Sequence, residues 1–473
     1  MGKSYVATET TQLSIKGTVE DTNDKVGSVK STGEDTNTKI TSAKTTAEDT
    51  NTKVGSVKGT VEATQTTVNA VDGKADDILA LLNKEQIFGF IEHCATLSPG
   101  SRIEYIGINR DYSPIVITKG GGYSLTSWAD FPWLKENKPY MVKADGTADY
   151  ALCETDYTKK ADGVTASDVA NTSYNGGAFA WAPKIYKMEY MLGDDRYVLF
   201  SMTERDGFEA VGFIDPNGNE LDGVWIPMFY GSIVSSKMRS ISGTQPDYGH
   251  TTAEQKTAID AFGSRAKFFG GAIVETLIDL MIMFCKNTDL QDAYGYGNCN
   301  GYNSGGSPTY GVKANAVVGG GQFYGTSDKT SLNKVFHSIV LGTYQQYMRD
   351  PYTLLVSGAV KVSKNYSYDL TGAAYTAAGI TFDSSSSGWE YPNKYVAVPG
   401  FGALPVRPCS GSTSTGGCDG LYVNVSDVRL GLRFGSCDND LTAGPRCLNL
   451  LNVAAIAHWT IGAAVLLLPP ASV

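Results

Sequence analysis

The chain has 473 residues, of which 42% are hydrophobic and 19% charged, with a formal charge of −10. That is apolar material for roughly two to four domains with buried cores, which excludes a disordered protein, and the absence of a basic stripe excludes nucleic acid as a partner. Its 53 glycines and 27 tyrosines suit long ordered loops that carry aromatic contact surface.

Residues 1–14 lack the apolar core of a signal peptide, so no export signal is expected. From Ile15 to residue 84 the sequence repeats every 14 residues, with units beginning at Gly17, Ser31, Thr45 and Gly59. Small and apolar residues, Ile15, Val19, Thr22, Val26 and onward to Ile78 and Leu82, recur at alternating steps of four and three, which is the seam of a left-handed coiled coil. β-Branched residues at both core positions favour three strands. The segment 15–84 is therefore predicted to be a trimeric stalk, roughly 70 residues at about 1.5 Å each, or about 100 Å long. Asp21 with Lys25, Asp35 with Lys39 and Asp49 with Lys53 support the helix, whereas each internal glycine costs it about 1 kcal/mol.

Short alternating segments bounded by Gly and Pro follow: "SRIEYIGI", "SPIVITKGGG" and "KPYMVKADG". They predict a small β-rich connector domain over 85–179. The remainder, 180–473, reads as an α+β head. It opens on paired strands, "APKIYKMEYM" and "DRYVLFSM". The helix "TTAEQKTAIDAFGSRAK" is capped by Thr251 or Thr252 ahead of Glu254. A second helix, "AIVETLIDLMIMFCK", is apolar nearly all round and so buried. The Gly, Asn and Tyr-rich run "YGYGNCNGYNSGGSPTYG" follows, then a third helix over "SLNKVFHSIVLGTYQQYM", then strands to the end. The run "IGAAVLLL", Ile461 to Leu468, is too short to span a bilayer and reads as a buried strand. No membrane insertion is expected, and the pattern alone fixes no topology.

The eight cysteines (Cys94, Cys153, Cys285, Cys299, Cys409, Cys418, Cys437, Cys447) show no zinc spacing. They are expected as free thiols, although Cys409 and Cys418 could bridge. His93, His250, His337 and His458 sit in no nucleophile motif or metal-spaced pair. No catalytic residue, metal or cofactor is predicted, and the chain is not expected to be an enzyme. "QPD" at Gln245 to Asp247 and "CDND" at Cys437 to Asp440 resemble the calcium motifs of sugar-binding lectins, but the Trp-Asn-Asp partner is missing.

The end of the chain has an unusual composition, because no Lys, Glu, Gln or Met occurs from Phe434 onward. Burial would exclude Lys and Glu but not Met, and Arg446 with the "DND" cluster argues against simple burial.

The stretches "SWADFPWLKENKPYMVKADGTADYAL", "YTKKADGVTASDVANTSYNGG", "RDPYTLLVSGAVKVS", "YPNKYVAVPGFGALPV" and "GGCDGLYVN" resemble tail-fibre proteins of phages and prophages of gut bacteria. The ends of those proteins are targets of diversity-generating retroelements. The closing "LRFGS", "GPRCLNL" and "AAIAHWTIGAA" resemble their variable region, here about 433–465. The resemblance implies a C-type-lectin-like head that carries its variable residues on an exposed face and is presented by a homotrimer. Such retroelements replace template adenines, and an AAC codon randomised at both cannot encode Lys, Glu, Gln, Met or Trp. Trp459 breaks that rule and is expected to be framework. The implied variable, ligand-binding positions are Cys437, Asp438, Asp440, Leu441, Thr442, Arg446, Cys447, Leu451, Val453, Ile456, His458 and Thr460. Gly435, Gly444, Pro445, Leu448, Leu450, Ile461 and Gly462 match the framework, and Asn439, Asn449 and Asn452 fit either set. The implied function is that of a receptor-binding adhesin at the tail-fibre tip of a virion, made in the host cytoplasm. Its partners would be a bacterial surface receptor, protein or glycan, and other tail proteins at its N-terminus. The rivals are an oxidase of the formylglycine-generating type, which shares the fold and uses a cysteine pair comparable to Cys437 and Cys447, and a purely structural fibre segment.

Overall fold

The computed structural model describes residues 21, 23–36, 38–39, 64–65, 86–305 and 310–470. They belong to two compact units, one holding the described residues up to Phe88 with Arg205–Phe208, the other Gly89–Glu204 and everything described from Glu209 onward. In the first unit residues 23–36 are helical. Lys25 pairs with Asp21 and Lys39 Nζ lies 2.7 Å from Asp35, the acid-before-base order that the repeats predict. The segment 1–14 and most of the repeats, 40–63 and 66–85, lie outside the described residues.

The second unit is mixed α and β, built mainly of strands. One seven-stranded sheet runs Ala266–Phe268, Val465–Leu467, Gly223–Pro227, Gly176–Pro183, Pro139–Lys143, Ala148–Cys153 and Asp156–Lys160 in spatial order. The boundary expected between residues 179 and 180 falls inside its central strand, Gly176–Pro183. Residues of the expected connector and of the expected head thus share one sheet, paired from Tyr140↔Phe179 to Trp225↔Leu467. A second sheet runs Thr376–Thr381, Ala359–Val362, Tyr347–Val356, Val428–Arg433, Leu448–Leu450 and Leu421–Val423, with Ile461–Gly462 parallel to the start of Tyr347–Val356. A four-stranded sheet orders Ile103–Gly107, Phe88–His93, Asp195–Ser201 and Tyr186–Leu192. The last two pair antiparallel, as their alternating patterns predict.

Both early helices form. Thr251 caps Thr252–Phe262, and a reciprocal bond with Glu254 completes the capping box. Ala272–Cys285 is buried all round except at Cys285. It carries two acids one turn apart, Glu275 and Asp279, which only partners from other elements can satisfy.

The third expected helix does not form: only Val340–Thr343 is helical, and Tyr347 already begins a strand. Phe336, His337 and Tyr344 adopt positive φ (52°, 65° and 56°), a backbone that no helix of L-residues tolerates. Their side chains are all buried, so tertiary packing overrides local propensity here. The eight cysteines are free, Cys409 and Cys418 included. Among the described residues no helix is long and apolar enough to cross a membrane.

Candidate binding surface

The last segment leaves the second sheet at Leu450 and rejoins it at Ile461, and residues 451–460 between have neither helix nor strand. The side chains on this loop alternate in environment. Val453, Ala455, Ala457 and His458 are exposed, Leu451, Ile456 and Trp459 are half-buried, and Thr460 is buried.

Two other stretches meet the loop. The Tyr-rich run places Tyr302 and Tyr310 against Trp459, with ring centroids 5.5 and 4.9 Å away and planes within 29° of parallel. The Tyr302 amide donates to the Cys437 carbonyl at 3.0 Å, and the Asn303 amide donates to the Tyr310 carbonyl at 3.0 Å, closing the run on itself. Asn298 holds its base, donating to the Gly311 carbonyl and to Gln345 Oε1 at 2.9 and 3.0 Å. The turn ahead of the first helix contributes Tyr248, and its Gly249 amide donates to the His458 carbonyl at 3.3 Å. Among the described residues, the exposed tyrosines are Tyr248, Tyr302 and Tyr310, and all three belong to stretches that bond to this loop or stack on it. His458 lies beside Trp459 at 5.6 Å. Asp440 pairs with Lys329 at 2.6 Å on the flank.

Three exposed tyrosines and the half-buried Trp459 thus lie as an aromatic ledge on three loops beside the second sheet. The groove of about 330 Å³ bordered by Lys138, Tyr140, Cys153 and Glu154 includes none of these residues.

The twelve positions expected on one exposed face divide into two sets. Asp438, Val453 and His458 are exposed, and Asp440, Leu441, Leu451 and Ile456 are half-buried. Cys437, Thr442, Arg446, Cys447 and Thr460 are buried, which corrects the expectation for those five. Arg446 is core because Glu92, on the distant strand Phe88–His93, takes both arms of its guanidinium at 2.8 and 2.7 Å while the Tyr395 ring covers it at 3.8 Å. The Arg446 amide donates to Asp419 Oδ2 at 2.6 Å. A side chain at Gly444 would place its Cβ 2.1 Å from the same carboxyl, so only glycine fits there. Burial pushes the Cys437 thiol up to about 12 and the Cys447 thiol well above the usual thiol range. Thr442 is hydrogen-bonded to the Tyr391 hydroxyl at 3.0 Å and Thr460 to His458 Nδ1 at 2.8 Å. The expected framework positions Gly435, Gly444, Pro445, Leu448, Leu450, Ile461 and Gly462 are all buried.

The sequence reading passed over Tyr248, Tyr302 and Tyr310 and assigned Trp459 to the framework. The signal for Tyr302 and Tyr310 was in the Tyr, Gly, Asn and Ser composition of their run, which is the composition of adaptable binding loops. Against known proteins, the chain matches no protein-family model and no curated protein.

Proposed function

We propose that this protein is a receptor-binding adhesin of the phage tail-fibre type: a trimer whose stalk presents a C-type-lectin-like head, and whose head binds a bacterial surface ligand through the loop 451–460 and its aromatic neighbours. The observation that carries the reading is the convergence of Tyr248, Tyr302, Tyr310 and Trp459 on the segment whose composition departs from the rest of the chain. Large, rigid aromatic side chains give contact area at low entropic cost, and Trp and Tyr dominate the few residues that carry most binding energy. The diversified positions of this reading are the outward ones, Asp438, Val453 and His458, with Asp440, Leu441, Leu451 and Ile456 at their edge. The oxidase alternative needs a reactive thiolate, whereas Cys437 and Cys447 are buried thiols held in the protonated form.

Trp459→Ala combined with Tyr302→Ala is expected to lower binding of labelled protein to a panel of gut bacterial strains at least tenfold, with the melting temperature shifted by no more than a few degrees. Exchanging Val453, Ala455, Ala457 and His458 together is expected to change which strains are bound. Unchanged binding by both variants would remove the ledge from recognition. The seam of the stalk further predicts a mass in solution of three times 50.5 kDa by light scattering, and a monomer or dimer at micromolar concentration would refute the trimer.

A further inference from the structure

The loop 451–460 makes few bonds within itself, yet its carbonyls are taken one after another by donors from elsewhere in the fold. Asn452 accepts from the Leu430 amide at 2.8 Å, and Ala454 from the amide and hydroxyl of Thr252 at 3.0 and 2.7 Å. Ile456 accepts from Arg349 Nη2 at 2.5 Å, His458 from the Gly249 amide at 3.3 Å, Trp459 from Gln346 Nε2 at 3.0 Å and Thr460 from the Tyr347 amide at 2.8 Å. Tyr347 and Arg349 open one strand and Gln346 immediately precedes it, so the start of that strand forms a rack of donors under the loop. Arg349 is fully buried. It also donates to the His250 carbonyl at 2.6 Å and to the Thr252 hydroxyl at 2.8 Å, so it ties the Tyr248 turn and the loop to one side chain.

We infer that Arg349, with Thr252 and Gln346, is a positioning clamp that fixes the backbone of 451–460 through its carbonyls and leaves the outward side chains free to vary without moving the loop. A carbonyl is present whatever the side chain, so the support does not depend on the residues at 453, 455 and 457. His458 is the partial exception, since its Nδ1 bonds Thr460. This role rests on the recognition reading above for its purpose, but the clamp itself is tested on the free protein.

The test is amide hydrogen exchange by mass spectrometry on the full chain. Arg349→Lys and Thr252→Val are each expected to speed exchange across 453–461 at least tenfold, where the Ile456 and Ile461 amides are now bonded. Exchange in the helix Ala272–Cys285 should not change. Thr252→Ser keeps the hydroxyl and is expected to restore protection. The combined set Val453→Ser, Ala455→Asn and Ala457→Tyr is expected to leave loop protection unchanged. Should Arg349→Lys fail to fold, Thr252→Val decides. Unchanged loop exchange in Thr252→Val, or a tenfold rise caused by the outward set alone, would overturn the clamp. Cell binding is a separate measurement, so a protein that binds no cells but shows this exchange pattern would retain the clamp and lose the adhesin reading.

Discussion

Glu92→Ala is expected to destabilise the second unit by about 3 to 5 kcal/mol, or to unfold it, because it leaves the buried guanidiniums of Arg102 and Arg446 without a carboxylate and takes one of three from Arg196. Glu92 is fully buried. Its carboxylate accepts from Arg102 Nε at 2.8 Å, from Arg196 Nε at 3.0 Å, and from Arg446 through Nη1 and Nη2 at 2.8 and 2.7 Å. Burial pushes this carboxyl up, but the guanidiniums, Arg446 foremost, outweigh it and hold it well below the usual carboxylate range. Its contribution is therefore present above the ordinary carboxylate pKa and lost as pH falls through the lower folded value. The network continues inward. Arg196 reaches Glu189 and Asp279 at 2.7 Å each, and Lys187 reaches Glu189 and Asp279 at 2.6 and 2.7 Å. One helical turn from Asp279, Glu275 pairs with Arg433, whose Nε also lies 2.9 Å from Asp350. Five cations (Arg102, Lys187, Arg196, Arg433, Arg446) face five carboxylates (Glu92, Glu189, Glu275, Asp279, Asp350), so the charges of this network balance and any single deletion unbalances them.

Arg446→Ala is expected to follow Glu92→Ala in denaturant midpoint, monitored by tryptophan fluorescence. Glu92→Gln keeps the packing and is expected to lose less. A normal midpoint with lost cell binding in Arg446→Ala would restore the residue to the recognition surface. The cost of breaking such a network is not its net worth, since exchanging all its members for well-packed apolar residues is often neutral. What it contributes is a set of fixed directions that tie the helix Ala272–Cys285 to both the four-stranded sheet and the terminal segment.

That network explains what the sequence could and could not reveal. Local patterns were legible: the Thr251 cap with Glu254, the all-apolar helix, the alternating pair around residues 186–201, and the burial of Ile461 to Leu468, although this run forms two short strands, Ile461–Gly462 and Val465–Leu467, in different sheets and not the single strand expected. Each depends on neighbours a few residues away. Arg446 was misassigned because its partner lies at position 92, and nothing around "GPRCLNL" announces a carboxylate from the other end of the unit. The third helix failed for a similar reason. Lys334 and His337 bond Tyr157 and Asn137, far back in the sequence, and the positive φ at Phe336 and His337 accompanies those contacts. The aromatic ledge was half legible. The abundance of Gly and Tyr pointed to loops with aromatic contact surface, but only the fold brings Tyr302 and Tyr310 to Trp459.

Raising the pH from 7 to about 8.5 is expected to stabilise the protein, and Lys334 is the reason. Its ammonium is buried and donates to the Tyr157 hydroxyl at 2.9 Å and the Gly319 carbonyl at 3.1 Å, with no carboxylate paired to it among the described residues. Burial pulls its pKa down from 10.5 to about 7. His337 shares the site, with Nδ1 2.6 Å from the Tyr157 hydroxyl and Nε2 3.1 Å from the Asn137 carbonyl. Burial first, then Lys334 and Lys138, hold that imidazole neutral well below its usual range. Between the folded and unfolded values for Lys334 the unfolded chain binds the extra proton, so stability rises with pH across that interval, and its loss on acidification is complete once pH reaches about 7. Buried thiols oppose the trend above about 9, where the unfolded chain ionises them, since Cys285, Cys299 and Cys437 are pushed from 9.0 to about 12. The rise should therefore show between 7 and 8.5 and level off beyond. Lys334→Met keeps most of the side chain's volume and removes the charge. It is expected to flatten that rise and to stabilise the protein at pH 6.5 by a few kcal/mol, at about 1.4 kcal/mol for each tenfold change in proton affinity. Urea unfolding at pH 6.5, 7.5 and 8.5 measures both effects. A wild-type free energy that does not change across this range, or a Lys334→Met variant that keeps the wild-type slope, would mean that the ammonium reaches solvent or a counter-charge despite its burial.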